Sequence, residues 1–350
     1  MKTRSLATAV IAVLLLNTAG LGFGDTRKAA AKRTQTAALL ALLPASDGVV
    51  LIDSNRFFNE SMPRILASNQ PMLAKIQAHL AEIQAKTGVD LRKFESVAVG
   101  VTMIKVKEKE YDFDAVAIAR GDVNTSALIG VAKLASNGKY REEMIGDRTI
   151  YIFSAKDAVK KTSTKSTTAK SPSRINRAIN GLSKEIAITA LDAGTLAVGS
   201  LARVRATVQA DTHLSADVLS QLAGKESAAM SFALRTPNGM SKLLPLDNDE
   251  LGSNIDSIRF ISGSFDTAAA GATMQITAQT TKPEQAQGLL ETLSGLQLLG
   301  KMFLGSSKRA DQKIYARMIE SAKITRKGND VSLDLLVAQP DIDALVARVK

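Results

Sequence analysis

The residues that could carry acid–base or metal chemistry are few in this chain. Its 350 residues contain two histidines, His79 and His213, and no cysteine. Asp112 and Asp114 stand two apart on a predicted strand and share one face, as a catalytic carboxylate pair could. A histidine that acts as a base or a ligand needs an orienting partner or a second ligand, and the local sequence offers neither. The spacing predicts surface histidines and solvated aspartates, with no catalytic, cofactor-binding or metal site.

An acidic segment near residue 250 could supply oxygen ligands to Ca²⁺. It contains Asp247, Asp249, Glu250 and Asp256. The spacing and the required glycine of an EF-hand are missing, so a solvated loop is predicted. The serine-elbow, zinc-protease and phosphate-loop motifs are also missing. A hydrolase using Asp, Glu or Ser is therefore the least favoured hypothesis.

A basic Ser/Thr-rich stretch from Lys160 to Arg174 has no apolar periodicity and is predicted to be a disordered loop. Its charges could contact an anionic polymer or lipid surface. The alternative is a solubilising insertion between strands. The candidate contact residues are Lys160, Lys161, Lys165, Lys170 and Arg174.

A leucine-rich helix is predicted after the capping-box sequence Thr281-Lys282-Pro283-Glu284. Its apolar stripe could line a groove for an acyl chain or a partner helix, or it could be ordinary core. The candidate groove residues are Leu289, Leu293, Leu296, Leu299 and Phe303.

The first 24 residues, Met1 to Gly24, have the pattern of a secretory signal peptide. A basic head with Lys2 and Arg4 precedes an apolar run, which ends in small residues. The run is shorter than the roughly 20 residues that span a bilayer, so we expect cleaved export to the periplasm or the medium. The alternative is an inner-membrane anchor formed by an uncleaved N-terminal helix.

The amino-acid composition limits the classes of binding partner that are expected. The net charge of +11 and the pI of about 9.7 could suit a polyanion, but aromatic residues make up only 4 %. Single-stranded nucleic acid needs aromatic stacking platforms, so no specific nucleic-acid partner is expected. A cysteine-free chain of this length can bury large cores without disulfides, which fits a bacterial envelope.

The pattern of elements predicts an α+β fold of two related units with mainly antiparallel sheets covered by helices, after an N-terminal signal helix. The predicted divisions are a flexible basic lead-in at 25–36, unit 1 at 37–224 with a disordered loop at 159–174, and unit 2 at 225–350. The segments Phe94 to Ala135 and Ser257 to Leu299 share one order of strands and helix. Whether the units share one sheet is left open.

Three segments carry a resemblance to known sequences. They are Leu43-Pro44-Ala45-Ser46-Asp47-Gly48-Val49-Val50-Leu51-Ile52-Asp53, Thr87-Gly88-Val89-Asp90 and Leu196-Ala197-Val198-Gly199-Ser200. They resemble uncharacterised exported bacterial proteins of the acidobacterial type, over most of the mature chain. The resemblance implies no activity and no functional residues.

The sequence therefore favours an exported, non-catalytic binding or scaffolding protein of the bacterial envelope. The alternative is a carrier of an apolar, lipid-like ligand between a sheet and the leucine-rich helix. No cofactor is expected. The partner would be an envelope protein or an anionic polymer or lipid surface, and the oligomeric state is left open.

Overall fold

The computed structural model describes residues 23–87, 90–107, 110–154, 185–243, 249–305 and 309–347. These residues form helices around an antiparallel sheet, which confirms the predicted α+β class. The predicted leader lies outside the described residues up to position 22, and the loop at 159–174 lies wholly outside them.

The sheet is built from twelve strands. In chain order they are β1 Gly48–Asp53, β2 Phe94–Lys107, β3 Glu110–Gly121, β4 Tyr140–Ile145, β5 Arg148–Ser154, β6 Glu185–Ala190, β7 Thr195–Ser200, β8 Met230–Arg235, β9 Ile258–Ala268, β10 Gly271–Thr280, β11 Lys323–Lys327 and β12 Asp330–Ala338.

Helices precede, connect and follow the strands. They are α1 Phe23–Leu40, α2 Ser54–Arg56, α3 Met62–Ile65, α4 Gln70–Thr87, α5 Thr125–Ala135, α6 Leu201–Gln209, α7 Ala216–Leu222, α8 Asp249–Asp256, α9 Pro283–Gly305, α10 Ala310–Ser321 and α11 Gln339–Val346. A π-helical turn, Phe57–Ser61, joins α2 to α3, and short 3-10 turns occupy Leu91–Lys93 and Met240–Leu243.

One continuous sheet runs through both predicted units, in the order β11-β12-β10-β9-β8-β1-β2-β3-β7-β6-β5-β4. The strands β1 and β8 pair antiparallel at its centre, with Val50 opposite Phe232. Reading outward from that pair, β8-β9-β10-β12-β11 repeats the arrangement β1-β2-β3-β7-β6, and the hairpin β4–β5 is an addition at one edge. The boundaries of the two units stay a prediction, because no hydrogen-bonding gap in the sheet separates them.

Side chains alternate between two faces of this sheet. Face 1 carries Val49, Leu51, Ala98, Val116, Ile118, Ala197 and Ile150, and face 2 carries the residues between them, such as Val50, Val99 and Ala117. The named face 1 residues are buried in one core with Leu43 and with residues of α6 and α7. Face 1 is therefore closed by helices over the first half of the sheet.

Two arginines fix α6 on face 1. The Arg205 guanidinium donates to both carboxylate oxygens of Glu143 on β4, and these hydrogen bonds lower the pKa of Glu143. Arg203 donates through Nη1 to the Ala45 carbonyl oxygen at 2.7 Å. Burial lowers the pKa of the Arg203 guanidinium, while the nearby carboxylates of Asp114 and Asp47 act in the opposite direction. The helix is thus tied to the sheet edge and to the segment before β1.

The opposite face is covered at its two ends. On one side α5 packs over β5 and β4, with Lys133 Nζ 4.0 Å from the centre of the Tyr151 ring. On the other side α9 packs over β10 and β12, where Ala286 and Leu289 contact Val331. Between these two ends lies the middle of face 2.

The predicted flexible lead-in at 25–36 is wrong, because these residues lie inside α1. Alanine is the strongest helix former, and Ala29, Ala30 and Ala31 stand in the middle of the segment. The Lys32 ammonium also forms an ion pair with Asp53 at the end of β1, which ties the helix to the sheet.

The helix ends follow local sequence signals. Asn124 caps α5 by accepting from the Ala127 amide, and Asn137 and Gly138 follow the helix with positive φ. The start of α9 differs from the predicted capping box in one residue. The Gln285 side chain, rather than that of Glu284, accepts from the Lys282 amide at 3.0 Å.

Candidate apolar site on the sheet

The middle of face 2 is an apolar surface that spans five central strands, which we call the floor. Every side chain in it is apolar and only half-buried. The floor consists of Val50, Ile52, Val97, Val99, Val101, Ala115, Ala117, Ala119, Met230, Phe232, Leu234, Ile261 and Phe265. The floor is therefore more accessible than face 1, where side chains of the same types are buried.

The rest of the sheet shows how this protein treats a face that meets water. On face 1 of the second half, Thr273 and Gln275 of β10 are exposed, and they lie beside Ser264 of β9 and Asp334 of β12. Most side chains in that uncovered region are polar, with the exposed Leu336 opposite Thr273 as an apolar exception. The floor is half-open but carries no polar side chain, which is the pattern of a surface that binds something apolar.

A projecting hairpin extends the floor at one end. The strands β2 and β3 continue beyond their neighbours, and Met103 opposite Phe113 continues the apolar face. The next pair on the same face is Lys105 and Tyr111. Lys105 is exposed, so the apolar surface ends at a cation.

The structure divides the predicted groove on α9. Leu289 is buried, and Leu293 packs beside it against the second-half sheet. Leu296, Leu299 and Phe303 are exposed instead. These five residues therefore do not form one lining, and the space between α9 and the sheet is filled by side chains around Leu289.

The other candidate residues do not converge on a site. Lys160, Lys161, Lys165, Lys170 and Arg174 all lie outside the described residues. The His79 ring is mostly exposed and lies 3.6 Å from Glu82, and His213 Nδ1 is 3.2 Å from the Ala41 carbonyl oxygen.

The acidic candidates are likewise dispersed. Asp112 and Asp114 share a face of the projecting hairpin, opposite Ile104 and Thr102. Asp256 accepts from the amide and the hydroxyl of Ser241. Across the described ranges, no group of three or more His, Cys, Asp or Glu side chains could hold a metal ion.

A small pocket lies at the N-terminal end of α5. Its volume is about 180 Å³, and its lining includes Asp90, Lys93, Asp122 and Leu128. Lys93 and Asp122 form an ion pair across it at 3.6 Å. Pockets for organic ligands are typically about 300–1,000 Å³, so this one is small for a lipid or a cofactor.

Sequence reasoning missed the floor as a site, although a signal for it was present. The run Gly48-Val49-Val50-Leu51-Ile52 is apolar at every position, and Val97, Val99 and Val101 alternate along the chain as a strand does. Continuous apolar strands are covered on both faces in most sheets. One of the two faces here is covered only in part.

Comparisons with known proteins give fold likeness alone. No protein-family model matches the chain, and no curated protein matches it. Crystal form III of TP0453 is similar with a TM-score of 0.43 and 8 % sequence identity, covering 89 % of this chain and 98 % of that chain. Crystal form I of TP0453 gives a TM-score of 0.41 and 9 % identity, covering 88 % and 96 % of the two chains. Among the described residues, every helix is too short or too polar to traverse a bilayer.

Proposed function

We propose that this chain is an exported, non-catalytic envelope protein that binds a single-chain anionic lipid, such as a fatty acid, on the floor. The observation that carries the proposal is that the middle of face 2 is apolar at every position yet only half-buried. The leader pattern of Met1 to Gly24 supports export. A binding role fits the floor because it offers hydrocarbon contacts rather than reacting groups.

The length of the floor suits one hydrocarbon chain. From Val97 to Lys105 the strand β2 extends over about 27 Å at about 3.4 Å per residue. A bilayer core about 30 Å thick holds two acyl layers, so one acyl chain needs about 15 Å. A chain of that length fits on the floor with room at either end.

The end of the floor favours an anionic headgroup. Lys105 follows Met103 on the same face and is exposed, so its ammonium can meet a carboxylate while the chain lies on the apolar residues. Tyr111, opposite Lys105, adds a hydroxyl at the same end. A neutral analogue of equal chain length would lose the charge-assisted contact.

The proposal is tested with a tryptophan placed on the floor, since the chain contains none. Ala117→Trp puts an indole at the centre of face 2, and a dibrominated fatty acid bound there is expected to quench most of its fluorescence. Thr273→Trp is the matched control, because Thr273 lies on the exposed polar face of β10. Val101→Trp serves as a second reporter should Ala117→Trp fail to fold.

Quenching of the floor indole at concentrations that leave the Thr273→Trp indole unquenched would support the site. Equal quenching of both, or of neither, would overturn it. Adding Lys105→Glu to the floor reporter is expected to weaken the fatty acid several-fold and to leave its methyl ester unchanged. If both ligands weaken equally, the assignment of the headgroup to Lys105 is wrong.

A further inference from the structure

The helix α9 changes character along one side. In its first half the outward residues are polar and exposed, and they include Gln287 and Glu291. In its second half the same side of the helix carries Leu298 and Met302, which are also exposed. A helix on a globular core normally keeps its outward side polar throughout, so this switch needs a reason.

The second half of α9 forms an apolar arc. Leu296, Leu298, Leu299, Met302 and Phe303 are all exposed, Phe303 at 76 %. At 100° per residue these positions span about 160° of the helix surface. We call this set the apolar arc.

The other side of this helical segment is already occupied. Gln297 donates through Nε2 to the carbonyl oxygens of Ile319 and Ala322 at 2.8 and 2.7 Å. Gly300 packs so closely against Ile319 that an added Cβ would lie 2.9 Å from its side chain. Because α10 holds the inward side, the apolar arc is fixed facing outward.

The charged residues near the apolar arc are mostly basic. Between Leu296 and Tyr315 the sequence has four basic residues against the single acid Asp311. The basic residues are Lys301, Lys308, Arg309 and Lys313. Exposed side chains of Lys301, Arg309 and Lys313 lie on or next to the helix that carries the arc. An apolar arc bordered by cations is the surface that an anionic bilayer attracts, with the apolar side chains entering about 5–10 Å into the headgroup region.

We infer that the end of α9 is a peripheral docking surface for a bilayer of anionic phospholipid. The apolar arc enters the interface, and Lys301, Arg309 and Lys313 contact the headgroups. This site is separate from the floor, which lies on the middle strands, so either assignment can fail without the other.

The test uses the full chain and a second engineered tryptophan. Phe303→Trp keeps an aromatic side chain in the apolar arc. Its fluorescence reports how deeply position 303 enters the bilayer, even if the leader Met1 to Gly24 also binds the vesicle. With vesicles of equal parts phosphatidylcholine and phosphatidylglycerol containing brominated acyl chains, we expect quenching and a blue shift of its emission. Leu134→Trp is the matched control, because Leu134 is 78 % exposed on α5 and no other large apolar side chain of that helix is exposed.

A binding measurement complements the quenching. Phe303→Glu is expected to weaken partitioning into these vesicles about tenfold or more, since one large apolar side chain no longer leaves water. Leu134→Glu is expected to leave partitioning unchanged. An unquenched Phe303→Trp indole, equal quenching of the two reporters, or equal insertion into pure phosphatidylcholine would each overturn the inference.

Discussion

Gly271→Ala is expected to destabilise the folded protein by about 3 kcal/mol. Gly271 begins β10 with φ of +140°, a region that an alanine rarely adopts. An alanine Cβ there would also lie 2.0 Å from the Val337 carbonyl oxygen in the neighbouring strand. A change in φ at residue 271, or a shift of the Val337 carbonyl group, would disturb the pairing of Gly271 with Ala338. The loss of unfolding free energy is measured as a lower midpoint of urea unfolding, with an unchanged dependence of that free energy on urea concentration.

Gly130→Ala is the matched control for this substitution. Gly130 lies inside α5, and an added Cβ would meet nothing within 4 Å. Alanine is favoured over glycine in a helix, so the free energy of unfolding of this variant is expected to rise by about 0.5–1 kcal/mol. A Gly271→Ala variant as stable as the parent chain would show that the strand adjusts at little cost and would contradict the prediction.

Val116→Ala is expected to lower the free energy of unfolding by about 2.5 kcal/mol, because it removes buried apolar surface and leaves an unfilled cavity. The Val116 side chain is 0 % exposed on face 1, within the core closed by α6 and α7. Val99 is the same residue type on the adjacent strand, but it faces the floor and is only half-buried. Val99→Ala should therefore cost less than about 1 kcal/mol.

The comparison of these two valine variants measures how open the floor is. Thermal or urea unfolding of both, in the absence of lipid, gives the two free energies directly. Equal losses at Val99 and Val116 would mean that the floor is packed as tightly as face 1. The lipid-binding proposal would then lose its physical basis.

Strands, turns and caps were largely predictable because their causes are local. The alternation of Val97, Val99 and Val101 follows from the two-residue period of a strand. Gly146 adopts a positive φ in the turn that joins β4 to β5, as the sequence Gly146-Asp147 indicates. The helix at 23–40 differs from the expected flexible lead-in, because its alanines favour a helix although its basic residues suggest a solvated chain.

The candidate sites were harder to predict, because exposure depends on distant residues. Leu289, Leu293, Leu296 and Leu299 recur with helical spacing, which predicts one continuous buried stripe. Leu289 is buried against Val331 of β12, which is 42 residues further along the chain. Leu296 and Leu299 have the same residue type and periodicity as Leu289, but they lie outside that buried cluster and are exposed.

The sequence by itself determined the class of elements, their order and the apolar character of both faces of the central strands. Each of these properties depends on backbone preference and on neighbours within a few residues. Tertiary structure alone decided that one sheet runs through both predicted units, that the first half of face 1 is closed, and that the floor and the apolar arc stay accessible. Which apolar surface is covered depends on where helices distant in sequence pack. Amphipathic helices of similar pattern can pack on either face of the sheet, so the pattern alone does not determine which face stays accessible.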